Sequence, residues 1–383
     1  MAFGCAVALG VVLQAAWAQP VPATSGADEL RSVFQQLLLD PGNPALNLRY
    51  AALTAQRGEI ARAIATYERI LIDDPNNVTA RRELTRLRLL LDPPTTEAVL
   101  SLGVQYESNA PRRNPSFLTF NDTVGTASLA VRDERVLGDR RWRSFGTAFM
   151  NVHNRFSVGD LGYVGANTGP LLMLPGGWTM RPGLGGAFAS RDYRTMFAEG
   201  SLLANFETME AGPLEQINLR FAGQDWSGRD PGKDALIGEI GAGFRWRGIA
   251  ASGDTVSFDP IFTYNAADSA DNTYRAINLT FGYVVPMAAF GPVEARSFFG
   301  RSYLGLELHL ERDDYGAADR RISPPAEDRR DYYVAPGIRL VTPAVLGLNE
   351  TWTLRYLFED IISNEFINRY SNHTIGLTAS WRL

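Results

Sequence analysis

The sequence predicts an α+β multidomain chain: a short α-helical domain followed by a transmembrane antiparallel β-barrel of about fourteen strands. Three observations carry this reading. The apolar pattern has helical spacing up to Asp92 and period two from Ala98 onward. The alternating segments run to about ten to fifteen residues, where ordinary strands average about five or six. The last nine residues, IGLTASWRL, set Ile375, Leu377, Ala379, Trp381 and Leu383 against Gly376, Thr378, Ser380 and Arg382. That is a strand with one apolar face.

Bulk composition sets few limits. The 383 residues are 45% hydrophobic and carry a net charge of −5, which gives no basic face for nucleic acid. Mean hydropathy is −0.13. The 36 glycines and 11% aromatic residues, in a chain with few long apolar runs, suit a barrel with short turns.

One apolar stretch, from Ala2 to Ala18, ends in Ala16-Trp17-Ala18 before Gln19. It is short for a membrane-spanning helix and has the form of a cleaved secretory signal over residues 1–18, although no Lys or Arg precedes it. Cys5 is the single cysteine and falls inside that segment, as suits an exported chain without disulfides. Residues 19–27 then read as a linker.

The helical domain is predicted over 28–92. Leu30, Val33, Phe34, Leu37 and Leu38 recur at spacings of three and four, and a helix pair follows that turns at Gly58. The pair resembles a tetratricopeptide repeat. With Pro44 as the first position of a unit of about 34 residues, Ala51 and Ala63 take the small sites, Tyr67 an aromatic site and Pro75 the terminal proline. Small residues let the two helices approach, and the proline stops the second. The repeat's expected Trp and the Gly of its first helix are absent. A further helix, VTARRELTRLRLLL, covers the open end of the pair.

Asp92-Pro93-Pro94 ends helical continuation, and residues 93–97 read as a linker. The barrel is predicted over 98–383, with strands near 98–107, 124–136, 142–151, 161–173, 178–190, 197–208, 214–226, 235–248, 254–266, 273–285, 298–312, 329–342, 350–361 and 369–383. An even count puts both barrel ends on one side, with short turns such as LGDRR and LPGG there and long polar loops such as SNAPRRNPSFLTFND opposite. The stretch Met287–Ser297 is long for a turn on that side. The terminal strand, with Trp381 and Leu383, is expected to pair with AVLSLGVQYE and close the barrel.

Parity sorts side chains to lipid or lumen. Glu239, Arg245, Arg247, Glu307, His309, Glu311 and Arg355 are expected to face the lumen, either filling it as ion pairs or lining a water path. His153, His309 and His373 have no metal-binding spacing. Asp268, Asp271, Asp313, Asp314 and Asp319 are oxygen-rich but lack an EF-hand register, so they read as solvated loop. No nucleophile motif, phosphate loop or dinucleotide fingerprint is present, so no catalytic residue, metal or cofactor is assigned and the chain is read as a non-enzyme.

The order of signal, helices and barrel resembles the surface lipoprotein assembly modifier family of Gram-negative bacteria. The echoes are AIATYERILIDDPNNVTARREL, from Ala63 to Leu84, and VQYESN, from Val104 to Asn109. The resemblance implies an outer-membrane protein with a periplasmic helical domain that delivers a surface lipoprotein or secreted client across the outer membrane. Its implied partners are that client, the barrel-assembly machinery during insertion, and outer-membrane lipid. The helical domain is shorter than a long repeat array, which bears on client binding. Two alternatives stand beside it: a channel for small solutes, and a barrel-anchored scaffold that binds a periplasmic partner.

Overall fold

The change of period at Asp92 divides the structure into two units, Met1–Leu91 and Asp92–Leu383. In this computed structural model the described residues are 24–383, except 92, 139, 175–176, 209–211, 227–230, 291–298, 320–326 and 344. The predicted signal segment, with Cys5, lies outside them.

The first unit holds α1 (Thr24–Leu39), α2 (Pro44–Gln56), α3 (Ile60–Asp73) and α4 (Val78–Leu91). Helix α1 therefore starts before the predicted Asp28. Asn43 caps α2, its Oδ1 accepting from the N–H groups of Ala45 and Leu46, and Pro44 stands where no N–H is needed. Gly58 takes φ +78 and turns the chain from α2 into α3. Ala51, Ala63 and Ala80 are wholly buried, and Tyr67, Ile70, Leu84 and Leu87 complete the core around them. Pro75 lies between α3 and α4. Packing against methyl groups explains why alanines occupy the helix contacts.

The second unit is one closed antiparallel sheet of fourteen strands. They are β1 (Thr95–Glu107), β2 (Asp122–Leu137), β3 (Arg140–His153), β4 (Leu161–Pro170, resuming at Leu172–Met173), β5 (Trp178–Arg191), β6 (Arg194–Thr208) and β7 (Leu214–Asp225). The rest are β8 (Ala235–Arg247), β9 (Thr255–Ala267), β10 (Tyr274–Pro286), β11 (Tyr303–Tyr315), β12 (Arg330–Pro343), β13 (Glu350–Ser363) and β14 (Tyr370–Arg382). Neighbours in sequence pair in space, and β1 also pairs with β14 in the register Leu100↔Trp381 and Tyr106↔Ile375. Leu383 extends that ladder: its N–H donates to the Ala98 carbonyl at 2.8 Å. Every strand thus has two partners, and the sheet has no open edge.

Three local readings are corrected. The linker predicted over 93–97 is already strand from Thr95, because β2 runs far enough for Thr95, Thr96 and Glu97 to pair with Glu134, Asp133 and Arg132. The strand predicted from residue 298 begins at Tyr303, after a 3-10 turn over Phe299–Arg301. The rule of long loops at the end opposite the barrel's first and last residues has an exception. Asp192 and Tyr193, at φ 54 and 57, join β5 to β6 in two residues, as a type I′ hairpin requires. We refer below to the terminal end, where β1 begins and β14 finishes, and to the loop end.

One close approach demands glycine. A Cβ on Gly169 would lie 1.9 Å from the Pro182 carbonyl oxygen. This is where β4 breaks at Leu171, whose N–H turns to the Arg141 carbonyl at 2.7 Å. Gly169→Ala must push two backbones apart, at a cost of about 1–3 kcal/mol. The expected result is a lower temperature for loss of the folded, heat-modifiable band on a gel. The same assay on Gly146→Ala, where nothing lies within 4 Å of the new methyl, should show no change.

Candidate functional site: the barrel lumen

Pleating sends successive residues to opposite faces. On β11, Leu304, Leu306, Leu308 and Leu310 share one face, and Glu307, His309, Glu311 and Asp313 share the other. The apolar face is the outer one: Leu306, Leu354 and Leu377 are 46%, 50% and 40% exposed on β11, β13 and β14. Phe244, Phe258 and Phe281 stack along the same outer face of β8, β9 and β10, with centroids 5.9 and 4.8 Å apart. A contiguous apolar wall of this kind belongs in hydrocarbon, and closure of the sheet gives every strand a pairing neighbour on both sides there. The architecture is that of an outer-membrane barrel.

The inner face is polar, and its charges form groups at different depths. At the terminal end Glu134 of β2 receives Arg132, Arg141 and Arg143, with Arg141 Nε at 2.8 Å. Arg143 also grips Glu207 of β6, Nη1 lying 2.8 and 2.9 Å from the two carboxylate oxygens. Arg181 of β5 donates to the side-chain carbonyls of Asn167 and Asn205, both at 2.7 Å, and stands 4.9 Å from the Phe145 ring centroid. In mid-barrel Arg220 bridges Glu199 of β6 and Glu239 of β8, the latter at 2.7 Å.

At the loop end two arginines come from loops rather than strands. Arg112 reaches Glu359 at 3.3 Å and Glu107 at 3.4 Å. Its own φ is +49. Asn109 holds this bend, donating from Nδ2 to the carbonyls of Arg113 and Ser371 at 2.8 and 3.1 Å. Arg329 pairs with Asp331 and lies 4.3 Å from the Tyr315 ring centroid. Burial works against both charges. The Glu359 and Glu107 carboxylates more than offset it for Arg112, and Asp331 does so for Arg329, so both guanidinium pKa values rise.

Among the described residues two cavities lie within the barrel. One, of about 510 Å³, is walled by Glu97, Arg132 and Phe145 on the terminal side. The other, of about 550 Å³, is walled by Trp226, Lys233 and Tyr274 on the loop side. Tyr163, Glu199 and Arg220 line both.

The residues assigned to the lumen from parity fall into separate places. Glu239 joins the Arg220 bridge, while Arg245 pairs with Asp259 at 2.6 Å. Glu307 meets Arg355 across β11, β12 and β13. His309 lies 3.1 Å from the Thr280 hydroxyl, and Glu311 accepts from Asn278 at 2.8 Å. Arg247 is the correction: it ends β8, pairs with Glu215 and is 67% exposed, so it stands on the rim instead of inside. Among the described residues no group of three or more His, Cys, Asp or Glu side chains is disposed to hold a metal ion.

Sequence reasoning passed over the residues at the centre of the networks. Arg143, Arg181 and Arg220 carried a usable signal, since each alternates with an outward apolar neighbour, whereas Glu134 stands between Asp133 and Arg135 and carried none. Arg112 and Arg329 carried none, because loop residues have no period.

No family model matches the chain, and no curated protein matches it. The likeness to the surface lipoprotein assembly modifier family therefore stays a resemblance. Among solved structures it is similar to Acinetobacter baumannii OccAB3 at 9% identity, covering 75% of this chain and 99% of that one, with a TM-score of 0.39. Pseudomonas aeruginosa OccK3 (OpdO) matches at 12% identity, 79% and 99% coverage and a TM-score of 0.36. An anion-selective porin from Comamonas acidovorans matches at 10%, 76% and 99%, with a TM-score of 0.37. Likeness at this level carries no inference, and the barrel rests on its own strand ladder.

The Glu134 group separates buried from exposed pairing. Arg141 and Arg143 keep 5% and 11% of their side-chain surface, whereas Arg132 keeps 45%. Glu134→Gln removes the carboxylate shared by two buried guanidiniums, although Arg143 keeps Glu207, and should cost up to about 3 kcal/mol of barrel stability. Arg132→Gln removes a half-exposed partner and should cost less than about 1 kcal/mol. Urea midpoints of the refolded barrel in lipid check both; equal shifts would refute the ranking.

Proposed function

We propose that this chain is an outer-membrane channel for small solutes. One observation carries the reading: the two cavities share the wall formed by Tyr163, Glu199 and Arg220. On this reading a solute passes from the terminal-end network to the loop mouth by way of a single ion-paired station, Glu199 with Arg220. Charged rings of this kind set selectivity in pores by replacing part of a solute's hydration. The arginine bridge faces the lumen, so its removal leaves the apolar outer wall intact.

The test is planar-bilayer recording of the purified full chain. Steady single-channel conductance is expected, and Arg220→Ala should raise it by opening the shared wall. A barrel that is folded yet electrically silent counts against the reading.

A second reading has an observation of its own. The helical unit leaves Leu38, Leu39, Ile72 and Val78 exposed, at 65%, 88%, 78% and 62%. Apolar side chains outside a packed core are what a partner segment would cover. On this reading the helices lie in the periplasm and receive a surface lipoprotein or secreted client, which the barrel passes outward. Deletion of residues 24–91 distinguishes the two. It should abolish surface labelling of a co-expressed client if the second reading holds, and leave solute conductance unchanged if the first does.

A further inference from the structure

Among the described residues the lumen charges lean in sign along the axis, basic side chains outnumbering acidic ones toward the terminal end and acidic ones outnumbering basic ones toward the loop end. At the terminal end the inward side chains include Arg141 and Arg143 near the start of β3, Arg181 near the start of β5, Arg245 near the end of β8 and Arg339 near the end of β12. At the loop end they include Glu107 at the end of β1, Glu311 and Asp313 near the end of β11, Asp331 at the start of β12 and Glu359 near the end of β13. Glu134, Glu207 and Asp259 answer some of the arginines, and Arg112 and Arg329 answer some of the acids.

The remainder is visible atom by atom. Among the described residues four buried side-chain polar atoms have no hydrogen-bond partner. Three are carboxylate oxygens at the loop end: Glu107 Oε2, Asp313 Oδ1 and Asp331 Oδ1. The fourth is Arg181 Nε at the terminal end, on a guanidinium whose other bonds go to neutral asparagines. Glu107 keeps Arg112 and Asp331 keeps Arg329 through their other oxygens, whereas among the described residues Asp313 beside Glu311 at the loop end has no basic partner and Arg181 at the terminal end has no carboxylate partner. Buried charges left this way draw counter-ions of opposite sign.

We infer that the lumen is bipolar and that it rectifies, passing current more readily when the loop side is at positive potential. The inference rests on the channel reading. The acidic half enriches mobile cations and the basic half enriches mobile anions. A positive loop side drives both populations toward the middle, where they accumulate and conduct. The opposite polarity draws both outward and depletes the middle. The same arrangement favours a solute with an ammonium at one end and a carboxylate at the other, its carboxylate toward the terminal end.

The experiment is current–voltage recording of the full chain in symmetric potassium chloride. Orientation is set by a biotinylated Ser116→Cys chain carrying Cys5→Ser and by streptavidin added to one side. At 0.1 M salt the current with the loop side positive should exceed the reverse by about twofold or more, a modest share of the ion enrichment that a one-sign lining produces. At 1 M the Debye length falls from about 10 Å to about 3 Å and the asymmetry should vanish. Arg181→Gln and the double change Glu311→Gln/Asp313→Asn should each reduce it at 0.1 M while conductance persists, because the first removes a cation that has no carboxylate partner and the second removes the charge that the two adjacent carboxyls share. Open channels with symmetric current at 0.1 M, or with the opposite polarity favoured, would overturn the bipolar lumen and leave the channel reading intact. A folded barrel that conducts nothing would overturn both.

Discussion

Closure of the sheet is the constraint on which the rest of the barrel depends. In hydrocarbon a peptide group without a partner costs several kcal/mol, so a strand at an open edge could not remain there. The β1–β14 ladder from Val99↔Arg382 to Glu107↔Thr374 removes that edge. Once it forms, the parity of every strand is decided together. One face must be apolar enough for lipid, and all the chain's polar needs move to the other face.

That displacement explains the density of charge inside. Gly103 lies so close to Thr126 and Thr378 that a Cβ would sit 2.7 Å from each hydroxyl, so side chains fill some levels and leave others open. Where the lumen is filled, arginines bind carboxylates from strands that are distant in sequence, as Arg143 does between β2 and β6. The planar guanidinium suits this work because it presents several donors in fixed directions.

The loop end is held differently. Glu365 accepts from the Asp319 N–H, and Asn372 accepts from the Asn109 N–H. These bonds hold Asp319 and Asn109, beside which Arg329 and Arg112 reach their carboxylates. The mouth of the lumen is therefore shaped by loops whose positions depend on strands at the far end of the sequence.

The sequence by itself determined the architecture. Period-two alternation is a local property, so the apolar faces of β8, β10, β11 and β13 could be read directly, and with them the even strand number and the inward placement of Glu239, Glu307 and Glu311. The helix contacts Ala51, Ala63 and Tyr67 were legible for the same reason, since spacing along one helix shows its face. Tertiary structure alone decided which charges meet. Glu134 and Arg143 are nine residues apart, but Arg143 and Glu207 meet only because the ladders through β4 and β5 set the height of β3 against β6. Arg247 shows the limit of parity, which gives a face but not a depth. The division of the lumen into a basic and an acidic half is likewise a matter of depth, and depth belongs to the assembled sheet.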